Sequence, residues 1–145
     1  MVTVRQLLDD KGRQVWSVQA EVSVLEALRV MAQKDVGALL VVAGDTPVGI
    51  VSERDYARKV VLEGRASHDT PVADIMSRGL FHVHPNQTVN DCMAIMSTKK
   101  VRHLPVIDNG RVLGMISIGD LVKSIIADQE FVIEQMTQYI GGTLA

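Results

Sequence analysis

A single cysteine, Cys92, stands in 145 residues, so no disulfide framework holds this chain together. Its neighbours make an apolar helical face, and the thiol reads as a small core side chain. Aromatic residues are only 3% of the chain, which leaves few rings on which nucleobases could stack. A formal net charge of −2 gives no general attraction to nucleic acid or anionic lipid, so the run Lys99-Lys100-Val101-Arg102-His103 is not read as a nucleic-acid patch. No apolar run approaches the ~18 residues of a membrane span. The opening residues, with Arg5, Asp9, Asp10 and Lys11, read as a short helix rather than a signal peptide, so the cytoplasm is the expected compartment. A Walker loop, a nucleophile elbow and paired catalytic carboxylates are also missing, and no catalytic residue is assigned. His82 and His84 lie two apart on an expected strand, but a third ligand cannot be placed and no metal site is expected.

What the chain does contain is itself, twice. Shifted by 65 residues, the stretch from Val18 to about Val61 matches the stretch from Val83 to about Ile126 without a gap. Val18/Val83, Val24/Val89, Met31/Met96, Lys34/Lys99, Val36/Val101, Leu39/Leu104, Val41/Val106, Gly49/Gly114, Ser52/Ser117 and Asp55/Asp120 are identical. Most are core positions and say that the copies fold alike. A unit of about 60 residues alone would bury only ~60% of its unfolded surface, so the copies are expected to form one integrated module.

Each copy reads as β-α-β-β-α. In the first, Val15 to Gln19 is a short strand, Ser23-Val24-Leu25-Glu26 is a capping box opening a helix, Ala38 to Ala43 and Val48 to Ser52 are strands around turn chemistry at Gly44-Asp45, and Glu53 to Leu62 is a helix. In the second, Phe81 to His84 is a strand, Thr88 caps a helix from Val89 to Lys99, Leu104 to Ile107 and Val112 to Ser117 flank Asp108-Asn109-Gly110, and a helix starts near Gly119. Pro71 to Met76 is a short helix with proline in its first turn, and Thr3 to Asp9 plays the same part ahead of the first copy. The expected division is 1–70 for the first motif with its N-terminal helix, 71–128 for the second, and 129–145 for a helical extension that Gly141-Gly142 ends. Phe131, Val132, Met136 and Ile140 give that extension an apolar stripe, covered by the domain itself or by a partner subunit.

Gly-x-x-Ser-x-x-Asp is the polar repeat, as Gly49 to Asp55 and as Gly114 to Asp120. A serine capping a helix whose first turn holds an aspartate is by itself ordinary stabilisation of a helix terminus. Its occurrence at one position of both copies favours a ligand instead. Helix N-termini attract phosphate, and a carboxylate accepts two hydrogen bonds, which suits the vicinal hydroxyls of a ribose.

With these residues the chain resembles a pair of cystathionine β-synthase (CBS) motifs, the Bateman module, over roughly residues 1–128. Val101-Arg102-His103-Leu104-Pro105-Val106, Ser52-Glu53-Arg54-Asp55-Tyr56 and Val72-Ala73-Asp74-Ile75-Met76-Ser77 add to the likeness. The resemblance implies an α+β fold in which two motifs pack with pseudo-two-fold symmetry and bind adenosine compounds in two clefts drawing on both copies. Carried over by position, one cleft would use Asp120 for ribose and Ser117 for phosphate, with Val15, Trp16, Val36, Gly37, Ala38 and Met115 by the adenine and Arg54 at the phosphate. Arg58 is either a further phosphate ligand or a solvated helix residue. The other would use Asp55 and Ser52, with Leu80, Phe81, Val101 and Ile50 by the base and Arg102 and His103 at the phosphates. Gly119 stands where Arg54 does in the first copy, and Gly37-Ala38 where Arg102-His103 do in the second, so the clefts are not equivalent.

The expected function is a non-enzymatic sensor that binds AMP, or ATP, ADP or NAD, as a homodimer and regulates a protein met in trans. Two other readings compete. An enzyme acting on nucleotides would need a general base or a metal near the phosphates. A structural subunit would leave the clefts empty.

Overall fold

The computed structural model describes residues 1–144, with side chains described as far as Ile140. In chain order the elements are α1 (Val4–Lys11), β1 (Ser17–Gln19), α2 (Val24–Lys34), β2 (Ala38–Ala43), β3 (Thr46–Ser52), α3 (Glu53–Tyr56), α4 (Val89–Lys99), β4 (His103–Asp108), β5 (Arg111–Ser117) and α5 (Ile118–Leu144). A π turn, Ala57–Val61, continues α3, and a 3-10 turn spans Val72–Asp74. Among the described residues no helix is long and apolar enough to cross a membrane.

Two compact units emerge, and they do not coincide with the sequence repeats. One holds residues 14–82, the other 1–13 with 83–145. The N-terminal helix, expected with the first motif, packs instead on the second repeat, while Val72, Ile75 and Met76, expected to open the second, lie in the core of the first. Amphipathic pattern says that such a segment needs a core, not whose core it enters.

In the unit of residues 14–82, β1 and β2 run parallel and β2 and β3 form a hairpin with Ala38 opposite Ser52 and a bulge at Val41/Val42. Ser23 Oγ accepts the N–H of Glu26 at 3.1 Å, so the cap on α2 exists with one arm only; the Glu26 carboxylate pairs with Arg29 instead. Leu39, Val41 and Val51 from the sheet meet Val24, Ala27 and Met31 of α2 in the core. The expected helix from Glu53 to Leu62 loosens after one turn: Leu62 N–H donates to Ala57 O at 3.2 Å and Arg65 N–H to Val60 O at 2.9 Å, the longer reach of a π turn, which buries Val60 and exposes Leu62. The short turn after Pro71 is 3-10, with proline just outside it as the cap residue. Ser77 and Ile50 exchange backbone hydrogen bonds at 2.9 and 3.1 Å and fasten this segment to β3.

In the other unit, full capping boxes open α1 at Thr3/Gln6 and α4 at Thr88/Asp91. Val4, Leu7 and Leu8 of α1 are buried against Leu104, Val106, Ile116 and Leu121. The β4-β5 hairpin sets His103 opposite Ser117 and turns at Asn109 (φ 52°) and Gly110 (φ 76°), the left-handed pair that a two-residue hairpin needs. The expected strand Phe81 to His84 is absent. Only Val83 bridges to β4, because Pro85 has no N–H to continue a ladder and His84 N–H donates to the Gln87 side chain at 2.8 Å. Helix α5 continues through Gly141 and Gly142, the expected stop, to Leu144. Cys92 is fully buried, as its position implied, and burial pushes its thiol pKa up to about 11.

The repeated glycines answer to this arrangement. A Cβ on Gly49 would lie 2.7 Å from Ser77 O and 2.9 Å from Met76 Sδ, and one on Gly114 would lie 2.7 Å from Leu8 Cδ2. In both units the glycine makes room for the segment that precedes a repeat.

Candidate nucleotide-binding residues

Where β3 runs into α3, Ser52 Oγ accepts the N–H of Asp55 at 3.2 Å, and Asp55 Oδ2 accepts the N–H and Oγ–H of Ser52 at 2.9 and 3.0 Å. The start of α5 repeats this: Ser117 Oγ accepts from Asp120 N–H at 3.2 Å and Asp120 Oδ2 from Ser117 N–H at 2.8 Å. The spacing is that of the first helical turn, so each pair closes a reciprocal cap and holds its carboxylate in one orientation. The cap and the candidate ribose site are the same atoms.

Two lysines that sequence reasoning missed reach these carboxylates. Lys59 Nζ lies 3.1 Å from Asp55 Oδ1, and Lys11 Nζ 2.6 Å from Asp120 Oδ2. Lys59 was legible, four residues along one helix from its partner. Lys11 was not, since 109 residues separate it from Asp120.

Burial pushes the Asp120 carboxyl up, but hydrogen bonds from Lys11 and Ser117 outweigh it and hold the group below its ordinary value. A depressed carboxyl adds stability that is complete above the unfolded value of ~3.9 and is lost as pH falls through the folded value. Melting temperature followed on acidification is therefore expected to fall less steeply below about pH 4 in Lys11→Met than in the wild type. Equal slopes would show that the ion pair contributes nothing to acid stability.

The remaining candidate residues divide between the units. Val15, Trp16, Val36, Gly37, Ala38, Ile50, Arg54, Arg58, Leu80 and Phe81 lie with Ser52 and Asp55; Val101, Arg102, His103 and Met115 lie with Ser117 and Asp120. Within the first set, Gly37 O accepts from Glu53 N–H at 3.1 Å, and the Lys34 ammonium sits 4.3 Å from the centre of the Trp16 ring. Within the second, Arg102 O accepts from Ile118 N–H at 2.9 Å, the same bond one repeat later. Among the described residues Arg54, Arg58 and Arg102 make no ion pair. Val15, Val36, Ile50, Leu80, Val101 and Met115 are half-buried, and Phe81 is 41% exposed. His82 and His84 fall in different units, His84 Nε2 pairing with Asp108 at 3.0 Å. Among the described residues no three His, Cys, Asp or Glu side chains gather as metal ligands.

Two units of one plan, each presenting a capped Ser-x-x-Asp carboxylate at a strand-to-helix turn, define a tandem-repeat module. The chain belongs to the CBS domain family, whose sequence profile matches residues 2–62 and 72–127. It is 35% identical over 150 residues to the mitochondrial CBS domain-containing protein CBSX3 of Arabidopsis thaliana, covering 97% of this chain and 72% of that protein. It resembles the structure of a candidate signal-transduction protein with CBS domains from Burkholderia ambifaria, with 52% identity, a TM-score of 0.85, and coverage of 88% of this chain and 96% of that one. The fold is shared with the CBS domain pair of protein MJ0100, solved with 5′-methylthioadenosine and S-adenosyl-L-methionine, at 21% identity and a TM-score of 0.75, over 86% of this chain and 99% of that one.

Proposed function

We propose that the protein is a cytoplasmic regulatory module that binds an adenine nucleotide, AMP foremost and otherwise ATP, ADP or NAD, and passes its occupancy to a protein partner in trans. The observation that carries this reading is the fixed carboxylate at the first helical turn of both units, with its N–H-rich helix start beside it. Adenosine compounds in the MJ0100 complex support the choice of ligand class. Ligand binding to the folded state alone raises stability by ~2.7 kcal/mol at one hundred times the dissociation constant. Thermal melts with AMP, ADP, ATP and NAD, with GMP as control, are expected to show such a gain for at least one adenine compound. Four unmoved melting temperatures would defeat the sensor reading.

The same proposal includes a homodimer. On α5, Val122, Ile126, Ile133, Met136 and Ile140 are 44–63% exposed and lie on one face at helical spacing, a stripe suited to a second copy of itself. Light scattering at micromolar concentration is expected to give the dimer mass, and Ile133→Glu with Met136→Glu the monomer mass. A monomeric wild type would remove this part of the proposal.

A further inference from the structure

Each of the two lysines does more than neutralise a carboxylate. Lys11 Nζ also donates to Met115 O at 2.6 Å, and Lys59 Nζ to Ile75 O at 2.9 Å. Lys11 is the last residue of α1, and Ile75 follows directly on the 3-10 turn. In both units, then, one ammonium ties the segment preceding a repeat to the Ser-x-x-Asp turn. The tie is built in opposite directions: in one unit the lysine sits on that segment, in the other on the helix after the turn.

We infer that Lys11 and Lys59 are latches that compete with the ligand's ribose, so that occupancy of each carboxylate loosens the segment held there. This rests on the nucleotide-binding reading above. A carboxylate offers about four lone-pair sites, and a vicinal diol donates two hydrogen bonds to it. On Asp55 both oxygens are engaged, Oδ2 by Ser52 and Oδ1 by Lys59. On Asp120, Lys11 and Ser117 N–H share Oδ2, and Oδ1 takes no protein donor among the described residues. The diol can therefore approach Asp120 with Lys11 in place, whereas at Asp55 the Lys59 ammonium must first withdraw. Asp120 fills first, and Lys59 is the stronger brake. Connectivity gives the release a direction. Helix α1 runs on through Gly12 and Arg13 into the other unit, and the segment after Pro71 runs on through His82 into the second repeat, so each loosened segment is covalently continuous with the unit that does not carry the occupied carboxylate.

Calorimetry with adenosine and with AMP, on wild type, Lys59→Met, Lys59→Arg and Lys11→Met, tests this together with amide hydrogen exchange. Adenosine carries no phosphate that a displaced ammonium could follow. Its weaker binding event is expected to tighten roughly fivefold in Lys59→Met, the scale of a partly exposed ion pair removed as competitor. Lys59→Arg should stay near wild type, and Lys11→Met should change less than Lys59→Met. Saturating AMP should speed exchange at the amides of Ala73 and Ile75, and Lys59→Met should show that acceleration without ligand. If AMP binds the wild type but Lys59→Met binds adenosine no tighter, or these amides keep their protection at saturation, the latch is overturned and the nucleotide reading stands. If neither compound binds the wild type, both fall.

Discussion

Gly49→Ala is expected to lower the free energy of unfolding by about 2–3 kcal/mol, toward the upper end of what overpacking a well-filled interior costs. The added methyl would sit 2.7 Å from Ser77 O, a backbone atom whose neighbours are pinned by the reciprocal bonds to Ile50. Met76 Sδ, at 2.9 Å, closes the other side. Gly114→Ala makes an equally short contact, but with the methyl end of Leu8, which a rotamer change can move, so the expected cost is about 1 kcal/mol. Urea denaturation of the two variants decides the matter. A Gly114→Ala loss as large as that of Gly49→Ala would mean that the buried Leu8 has no alternative rotamer, and that α1 is held as rigidly as the segment after Pro71.

These glycines show where sequence reasoning reached and where it stopped. Apolar runs and turn chemistry marked both hairpins, because Gly44 and Asn109-Gly110 supply the left-handed backbone that tight turns demand. Caps marked α2 and α4, because N-cap and third-residue side chains are close in sequence. Such local physics is written within a few residues. The strand expected at Phe81 to His84 failed on a local rule given too little weight, the missing N–H of Pro85. The exchange of preceding segments between repeats was not legible at all. Gly49 and Gly114 recur for a reason that lies in residues 28 and 106 positions away, Ser77 and Leu8, and no periodicity links them. The Ser-x-x-Asp pairs were legible as sites through their repetition, yet repetition could not show that Lys11, 109 residues away, already occupies the Asp120 carboxylate.

Which arginine serves which aspartate is the question with the largest effect on binding. By the resemblance, Arg54→Ala and Asp120→Asn are expected to remove one binding event in calorimetry, and Arg102→Ala and Asp55→Asn the other, each weakening it roughly ten- to a hundredfold, the worth of a charge-assisted hydrogen bond. Asparagine is chosen because it keeps an acceptor for the serine N–H, which alanine would leave without that partner. A rival assignment comes from within the units themselves. Arg102 O accepts from Ile118 N–H, and His103 stands opposite Ser117, so the backbone of Arg102 already lies beside the turn that carries Asp120. At the matching place in the other unit stands Gly37, which has no side chain to offer, while Arg54, directly before Asp55, is half-buried. If the arginines served their own turns, Arg102→Ala would share its loss with Asp120→Asn, and Arg54→Ala with Asp55→Asn. The calorimetric losses decide between the two pairings. Arg102 is exposed and makes no ion pair among the described residues. Losses that pair Arg102 with Asp55 would establish that each binding event needs both repeats. Losses that pair it with Asp120 would make each unit a self-sufficient receptor and remove the reason for two repeats to act together.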